Sequence, residues 1–176
     1  MEDMNKLFDS LNGILNTADL TDVTAEGEGF KDLPDGYYLG EVEKAELKES
    51  KSSHMPMVAF QFKVTDDGYS VNEQGEYNAL SKTKGRKIFI YYVLKDESSV
   101  KRFATDMLKF EGEMEGEPLL DKDCFTNSEL LVDALEILVG RRVYIHCSTT
   151  ENSDGSNSTW KNLISWKRAK ALELPQ

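Results

Sequence analysis

The stretch KTKGRKIFIYYVL, residues 82–94, decides the fold because its apolar residues alternate with the two-residue period of a β-strand. One phase is expected to face the core: Ile88, Ile90, Tyr92 and Leu94. The other is expected to face solvent, with Phe89 and Tyr91 following a basic run: Lys82, Lys84, Arg86 and Lys87. Rings beside cations suit a polyanion that carries stackable bases. The strand therefore predicts a surface for single-stranded nucleic acid.

Length and composition predict one folded domain with some appended chain. The 176 residues and a hydrophobic fraction of 39% are enough for a substantial core. No apolar run approaches the ~18 residues of a membrane span, and the amino end, MEDMNKLFDS, is acidic where a secretion signal would be basic. We therefore expect an intracellular protein without a membrane anchor. Cys124 and Cys147 match no metal spacing with the two histidines, so reduced thiols are expected and no metal or cofactor is predicted.

The net charge of -11 argues against binding of nucleic acid, because phosphate contacts need cations. The distribution of charge along the chain changes this interpretation. Residues 1–43 hold 11 acidic and 2 basic residues, and residues 111–136 hold 9 and 1. Residues 44–110 hold 9 acidic and 12 basic residues, and residues 137–176 hold 3 and 6. The segments that look like strands are thus mildly basic, which allows a cationic groove. Solvated acidic faces that serve solubility are the commoner explanation of the acidic blocks.

The amino-terminal residues predict a short amphipathic helix followed by a linker. The helical spacing runs through Met4, Leu7, Phe8, Leu11, Ile14 and Leu15. This helix is expected to pack on the domain or on a second subunit, which makes it a candidate for homo-oligomerisation, and docking in a partner's groove is the alternative. Residues 17–34 are acidic and aperiodic. The predicted organisation is a helix and acidic linker over 1–32, a folded domain over 33–172 and a short tail over 173–176.

The folded domain is predicted to be mainly β with α, as a five-stranded OB-fold barrel. The first strand changes phase between Val42 and Ala45, which indicates a bulge, and Gly40 would ease the same bend. A second strand covers 57–64, a long polar excursion covers 65–81, and the opening stretch is the third strand. Two helices follow, capped at Asp96 or Ser98 and at Thr126 or Ser128. Strands at 141–148 and 159–169 complete an order typical of an OB barrel.

Three passages carry a resemblance to a known family: LPDGYYLGEVEKAELKESKSSHMPMVAFQFKV (33–64), GRKIFIYYVL (85–94) and VGRRVYIHCS (139–148). They resemble a family of small phage proteins, long catalogued without a function and often encoded beside replication and recombination genes. The match covers roughly residues 33–170. Members look like OB-fold single-stranded DNA-binding proteins, so the resemblance implies that fold, that activity, the cytoplasm of a bacterial host and replication or recombination proteins as partners. The tail, ALELPQ, departs from the acidic, Phe-ending peptide by which many bacterial single-strand binders recruit partners.

The predicted DNA platform is the outer face of the second and third strands with its flanking loops. Its candidate contacts are Lys48, Lys51, Lys63, Lys82, Lys84, Arg86, Lys87, Phe89, Tyr91 and Trp160. Lys161, Lys167 and Arg168 would extend the groove or, as the alternative, only keep the last strand soluble. Two alternatives stay open: the excursion or a helix covers Phe89 and Tyr91, and Trp160 lies in the core with Trp166.

The predicted function is sequence-nonspecific binding of single-stranded DNA in phage replication or recombination. The alternative is an acidic protein-interaction module, or a DNA mimic, that acts on a basic host or phage protein. The sequence contains no Gly-rich phosphate loop, no nucleophilic serine between glycines and no HExxH helix, so an enzyme is not expected.

Overall fold

The computed structural model of the protein describes residues 2–18, 33–112, 114 and 117–174, in two units, Met1–Asp32 and Leu33–Gln176. In the first unit, helix α1 covers Glu2–Thr17, which confirms the predicted helix. Its apolar side chains are about half exposed: Met4, Leu7, Phe8, Leu11, Ile14 and Leu15. Most of the predicted linker, residues 19–32, lies outside the described residues.

The second unit is a mixed α+β structure, which confirms the predicted class. Its strands are β1 (Gly36–Glu49), β2 (Pro56–Val64), β3 (Gly68–Val71), β4 (Tyr77–Leu80), β5 (Lys87–Val93), β6 (Arg142–Glu151) and β7 (Asn157–Ile164). Its helices are α2 (Glu97–Met107), α3 (Ser128–Leu138) and α4 (Trp166–Ala171), with a 3-10 turn at Lys122–Phe125.

Strand β1 organises the sheet because it pairs along both of its edges. It is antiparallel to β2 from Gly40 to Glu49 and to β6 from Gly36 to Glu41. The register with β2 shifts between Val42 and Lys44, so the predicted bulge is confirmed, at Glu43. Gly40 allows the close approach of the neighbouring strands, since a Cβ there would lie 2.9 Å from Ile145 Cδ1.

The sheet differs from the predicted five-stranded barrel in strand number and in closure. Within the described residues it has seven strands, in the order β4-β3-β1-β2-β5, with β6 paired to β1 and β7 to β6. The two unpredicted strands, β3 and β4, form a hairpin inside the 65–81 excursion, which polar composition had marked as loop. Strands β5 and β7 each have one partner strand and do not pair with each other, so the sheet is open between them.

The helices follow the predicted pattern with two corrections. Asp96 caps α2, as expected, and its carboxylate accepts a hydrogen bond from the Ser99 backbone N–H at 2.8 Å. Asn127, not Thr126 or Ser128, caps α3, since its side chain accepts from the Leu130 N–H. The last strand ends at Ile164 instead of continuing to 169. Helix α4 begins at Trp166 because the Ser165 hydroxyl caps it.

The core lies between the inner faces of the strands and helices α2 and α3. Aromatic rings form its centre, with Tyr92 edge-on to Phe60 and to Phe103 at centroid distances of 5.9 and 5.2 Å. A second, smaller cluster holds Tyr144, Ala169 and Leu174. No helix among the described residues is long and apolar enough to cross a membrane.

Candidate nucleic-acid interface

Strand β5 presents its two outward rings to solvent. Ile88, Ile90 and Tyr92 are at most 8% exposed, whereas Phe89 is 43% and Tyr91 is 56% exposed. The predicted alternation of core-facing and solvent-facing residues along this strand is therefore confirmed. Neither the excursion nor a helix covers the two rings, because β3 pairs with β1, β4 pairs with β3, and α2 packs on the inner side through Phe103.

A cleft of about 690 Å³ separates β5 from β7. Its walls are β5 and β7, which do not pair with each other, and residues of α2 also line it. The residues that line it are Phe89, Ile90, Tyr91, Tyr92, Val93, Lys95, Asp96, Ser98, Ser99, Arg102, Asp106, Thr159, Trp160, Lys161 and Asn162. The open part of the sheet is thus also where the exposed rings of β5 lie.

Trp160 brings a third ring to the cleft, from β7. It is 48% exposed, so the expectation that it packs in the core is wrong. Its indole Nε1–H donates a hydrogen bond to Thr150 Oγ1 on β6 at 2.9 Å, which fixes the ring while leaving it accessible. Phe89, Tyr91 and Trp160 therefore line one cleft, although about 70 residues separate the two strands in the sequence.

Three cations line the same cleft: Lys95, Arg102 and Lys161. The Lys161 ammonium crosses it and donates a hydrogen bond to the Phe89 carbonyl at 3.1 Å. Lys95 and Arg102 were not among the predicted contacts because they follow β5, on α2 and just before it. Helical spacing could have predicted Arg102 as part of this surface. Ser99, Arg102 and Asp106 are three and four residues apart and therefore share one side of α2.

The two carboxylates in the cleft are both engaged by the protein. Asp96 caps α2, and hydrogen bonds from Ser99 hold the pKa of its carboxyl below the usual value. Asp106 accepts a hydrogen bond from the Tyr92 hydroxyl at 2.8 Å and pairs with Lys109 at 2.8 Å. Burial, and then the charge of Asp106, raise the pKa of Tyr92 strongly, so its hydroxyl remains a donor. Both acids therefore take part in the contacts that position α2 beside β5.

Outside the cleft, the outer face of the sheet continues from β5 onto β2. Tyr91 lies opposite Ala59, Phe89 opposite Gln61 and Lys87 opposite Lys63. The predicted cations Lys63 and Lys87 are therefore neighbours at one end of the strands. Lys87 is not free, however, because its ammonium contacts both carboxylate oxygens of Glu43 at 2.5 and 2.6 Å.

The turn that leads into β5 places more of the predicted cations at this same end. The Asp67 carboxylate accepts hydrogen bonds from the backbone N–H groups of Thr83 and Lys84 at 3.0 and 2.9 Å. The bonds from Lys84 and then Thr83 lower the pKa of that carboxyl. Lys82 and Lys84 are exposed in this turn, and Arg86, directly before the strand, is half-buried.

Lys48 and Lys51 lie at the other end of the outer face. Lys48 is opposite Met57, and Met57 is opposite Val93, so six residues of β2 separate Lys48 from the level of Lys63. At about 3.3 Å per residue this is roughly 20 Å. Lys51, in the turn after β1, is exposed, whereas nearby His54 contacts Glu49 at 2.8 Å. The ten predicted contacts thus form two cationic groups at the ends of a face with the three rings along its side.

Neither a metal-binding cluster nor a reactive cysteine is evident among the described residues. They contain no cluster of His, Cys, Asp or Glu that could hold a metal ion. Both cysteines are free, and burial raises the pKa of the Cys147 thiol to about 11, which makes it a poor nucleophile at neutral pH.

Comparison of the chain with models of known protein families gives no match, and comparison with curated proteins gives none.

Proposed function

We propose that this protein binds single-stranded DNA without sequence specificity, along the β5–β7 cleft and the adjoining outer face of β2. The observation that carries the proposal is the exposure of Phe89, Tyr91 and Trp160 beside Lys95, Arg102 and Lys161 in one cleft. Stacked rings hold bases of any identity, and ammonium and guanidinium groups hold phosphates.

The strand arrangement supports an OB-like fold for the DNA-binding unit. Strands β1, β2, β5, β6 and β7 would be its five strands, with the long, bulged β1 paired to both β2 and β6 and the two larger helices between the third and fourth. The β3–β4 hairpin would be an insertion after the second strand. OB folds bind oligonucleotides on the face of their second and third strands, which here are β2 and β5.

The proposed biological setting is phage replication or recombination in the cytoplasm of a bacterial host. There the protein would cover exposed strands and contact replication or recombination proteins. The half-exposed apolar side of α1 would provide for self-association. These parts of the proposal depend on the family resemblance of residues 33–64, 85–94 and 139–148.

Replacing the rings tests the proposal. We expect Phe89→Ala and Tyr91→Ala each to weaken binding of a fluorescent oligothymidylate by about 1–3 kcal/mol, or about 5- to 150-fold in Kd. The measurement is fluorescence anisotropy at several salt concentrations. Ile137→Ala, at an exposed apolar residue of α3 that does not line the cleft, is the matched control and should leave Kd unchanged. Absence of binding by the wild-type protein even at low salt would refute the proposal.

The acidic protein-interaction module remains the second candidate, and one surface favours it. The segment from the 3-10 turn through α3 exposes five carboxylates: Asp121, Asp123, Glu129, Asp133 and Glu136. A surface of this charge suits a basic protein partner. If the oligonucleotide does not bind, this acidic surface becomes the stronger basis for function. Replacing its five carboxylates by lysine should then abolish binding of a basic protein partner.

A further inference from the structure

We propose that the carboxylate of Glu43 fills a phosphate subsite on the outer face of β1, β2 and β5, so that the chain restrains its own affinity for polyanions. This inference rests on the proposed function and deepens it. It assigns an affinity-limiting role to an acidic residue within the DNA-binding surface, where only cations and aromatic rings had been predicted.

The bulge in β1 is what places Glu43 on this face. Val42 is opposite Phe62 and Lys44 is opposite Gln61, so Glu43 is the extra residue without a partner on β2. Before the bulge Val42 faces the core, and after it Ala45 and Leu47 do. Glu43 and Lys44 therefore both lie on the outer side. A bulge commonly redirects a side chain in this way.

The groups that hold Glu43 are groups that would hold a phosphate. Lys87 Nζ lies 2.5 Å from Oε1 and 2.6 Å from Oε2, and Gln61 Nε2 donates to Oε2 at 2.8 Å. The hydrogen bonds from Lys87 and then Gln61 lower the pKa of the Glu43 carboxyl, so it is an anion at neutral pH. Amide and ammonium donors are also the usual partners of the two free oxygens of a phosphodiester.

The position of this pair relative to the rings makes it part of a DNA path. Gln61 is opposite Phe89 on β5, and Lys63 is opposite Lys87. A base stacked on Phe89 would therefore bring its phosphate to the Gln61 and Lys87 donors. Lys87 is about 40% exposed at its side chain and Glu43 about 28%, so a phosphate can reach the ammonium once the carboxylate gives way.

An isosteric variant tests the subsite. We expect Glu43→Gln to bind oligothymidylate about 3- to 10-fold more tightly at low salt, with the slope of log K against log salt steeper by about 0.7, because Lys87 then neutralises one more phosphate. Lys87→Gln should remove the whole gain in the Glu43→Gln background and should cost the wild-type background less affinity, because there the Lys87 ammonium is already held by Glu43. Glu46→Gln, which removes the same charge from β1 opposite Ala59, is the matched control.

The outcomes separate this inference from the proposed function. Wild-type binding that Glu43→Gln does not strengthen, or strengthens only as much as Glu46→Gln does, overturns the phosphate subsite and leaves the proposed function in place. A Lys87→Gln variant that loses affinity equally in both backgrounds overturns it too. Absence of binding by every variant at low salt overturns the proposed function, and the subsite with it. Thermal unfolding of each variant verifies that it is folded.

Discussion

Among single residues, Tyr92 connects the core to the cleft. Its ring is 8% exposed and contacts Phe60 and Phe103 edge-on, while its hydroxyl donates to Asp106 in the cleft wall. A hydrogen bond from a buried hydroxyl to a carboxylate contributes about 1.5–3 kcal/mol to stability. One side chain thus couples the position of α2, and with it Arg102, to the packing of β5.

Tyr92 also contributes to how the protein responds to alkali. Burial raises the pKa of Tyr38, Tyr92 and Tyr144, that of Tyr144 to about 12. Above pH ~10 the unfolded chain releases these protons while the folded chain retains them, so their contribution to stability is complete below pH ~10 and declines as the pH rises.

We expect the free energy of unfolding to fall as the pH rises above ~10, with a slope that approaches about 1.4 kcal/mol per pH unit for each of these tyrosines. Tyr92→Phe keeps the ring and removes one titrating group, so its loss of stability between pH 10 and 11 should be smaller by about 1 kcal/mol. Urea unfolding at closely spaced pH values measures both slopes. Parallel slopes for wild type and variant would contradict the assignment.

The residues of β5 were predictable from the sequence because period-two alternation is a local property. Which way Phe89 and Tyr91 point followed directly from Ile88 and Ile90. The partner of Lys87 was not predictable, since Glu43 lies 44 residues earlier and reaches Lys87 only through the bulge and the pairing of three strands. The position of Trp160 was not predictable either, because its ring is held by a hydrogen bond to Thr150 on the neighbouring strand β6.

At the level of elements, the β3–β4 hairpin is held to the domain at a point of very close packing. A Cβ at Gly68 would lie 2.3 Å from a ring carbon of Tyr38 and 2.9 Å from the Tyr37 carbonyl. The Gly68 N–H also donates to the buried Thr83 hydroxyl at 2.9 Å. Gly68 therefore contacts both β1 and the cationic turn before β5.

A methyl group at this contact should disturb the hairpin. We expect Gly68→Ala to cost about 1–3 kcal/mol or more of stability, because the Tyr38 ring is fully buried and cannot move aside. Gly75→Ala, in the same hairpin, is the control: no atom lies within 4 Å of its Cβ, and only its positive φ costs about 1 kcal/mol. Denaturant unfolding compares them, and equal losses would show that the hairpin is not anchored on Tyr38.

The elements themselves were largely predictable, and the exceptions have physical reasons. Helices α1, α2 and α3 and the main strands follow from apolar periodicity, which is strong in each. The β3–β4 hairpin was missed because each of its strands has four residues and lies in a polar, turn-forming segment, and because its pairing with β1 is a long-range contact. Helix α4 was missed because Trp166 continued the alternation of β7, while the Ser165 cap that starts a helix is a weaker signal.

For the whole molecule, the arrangement of charge decides how a chain of net charge -11 could bind a polyanion. Within the described part of Leu33–Gln176, the 3-10 turn and α3 together expose five carboxylates, whereas the cleft is lined by three cations and by two acids that the protein engages itself. The net charge of each segment was predictable from the sequence. The position of the charged side chains relative to the cleft was not, because it depends on which side of each helix faces the cleft.

The gap between β5 and β7 has a consequence for how a nucleic acid would enter. Since no backbone ladder joins these strands, the cleft is a slot with a lengthwise opening instead of a closed ring. An internal stretch of DNA could then be taken up sideways, with no need for a terminus to be threaded. We expect a circular single-stranded competitor to displace a bound oligothymidylate as well as a linear one of equal length and sequence. Displacement only by the linear form would indicate that threading is required.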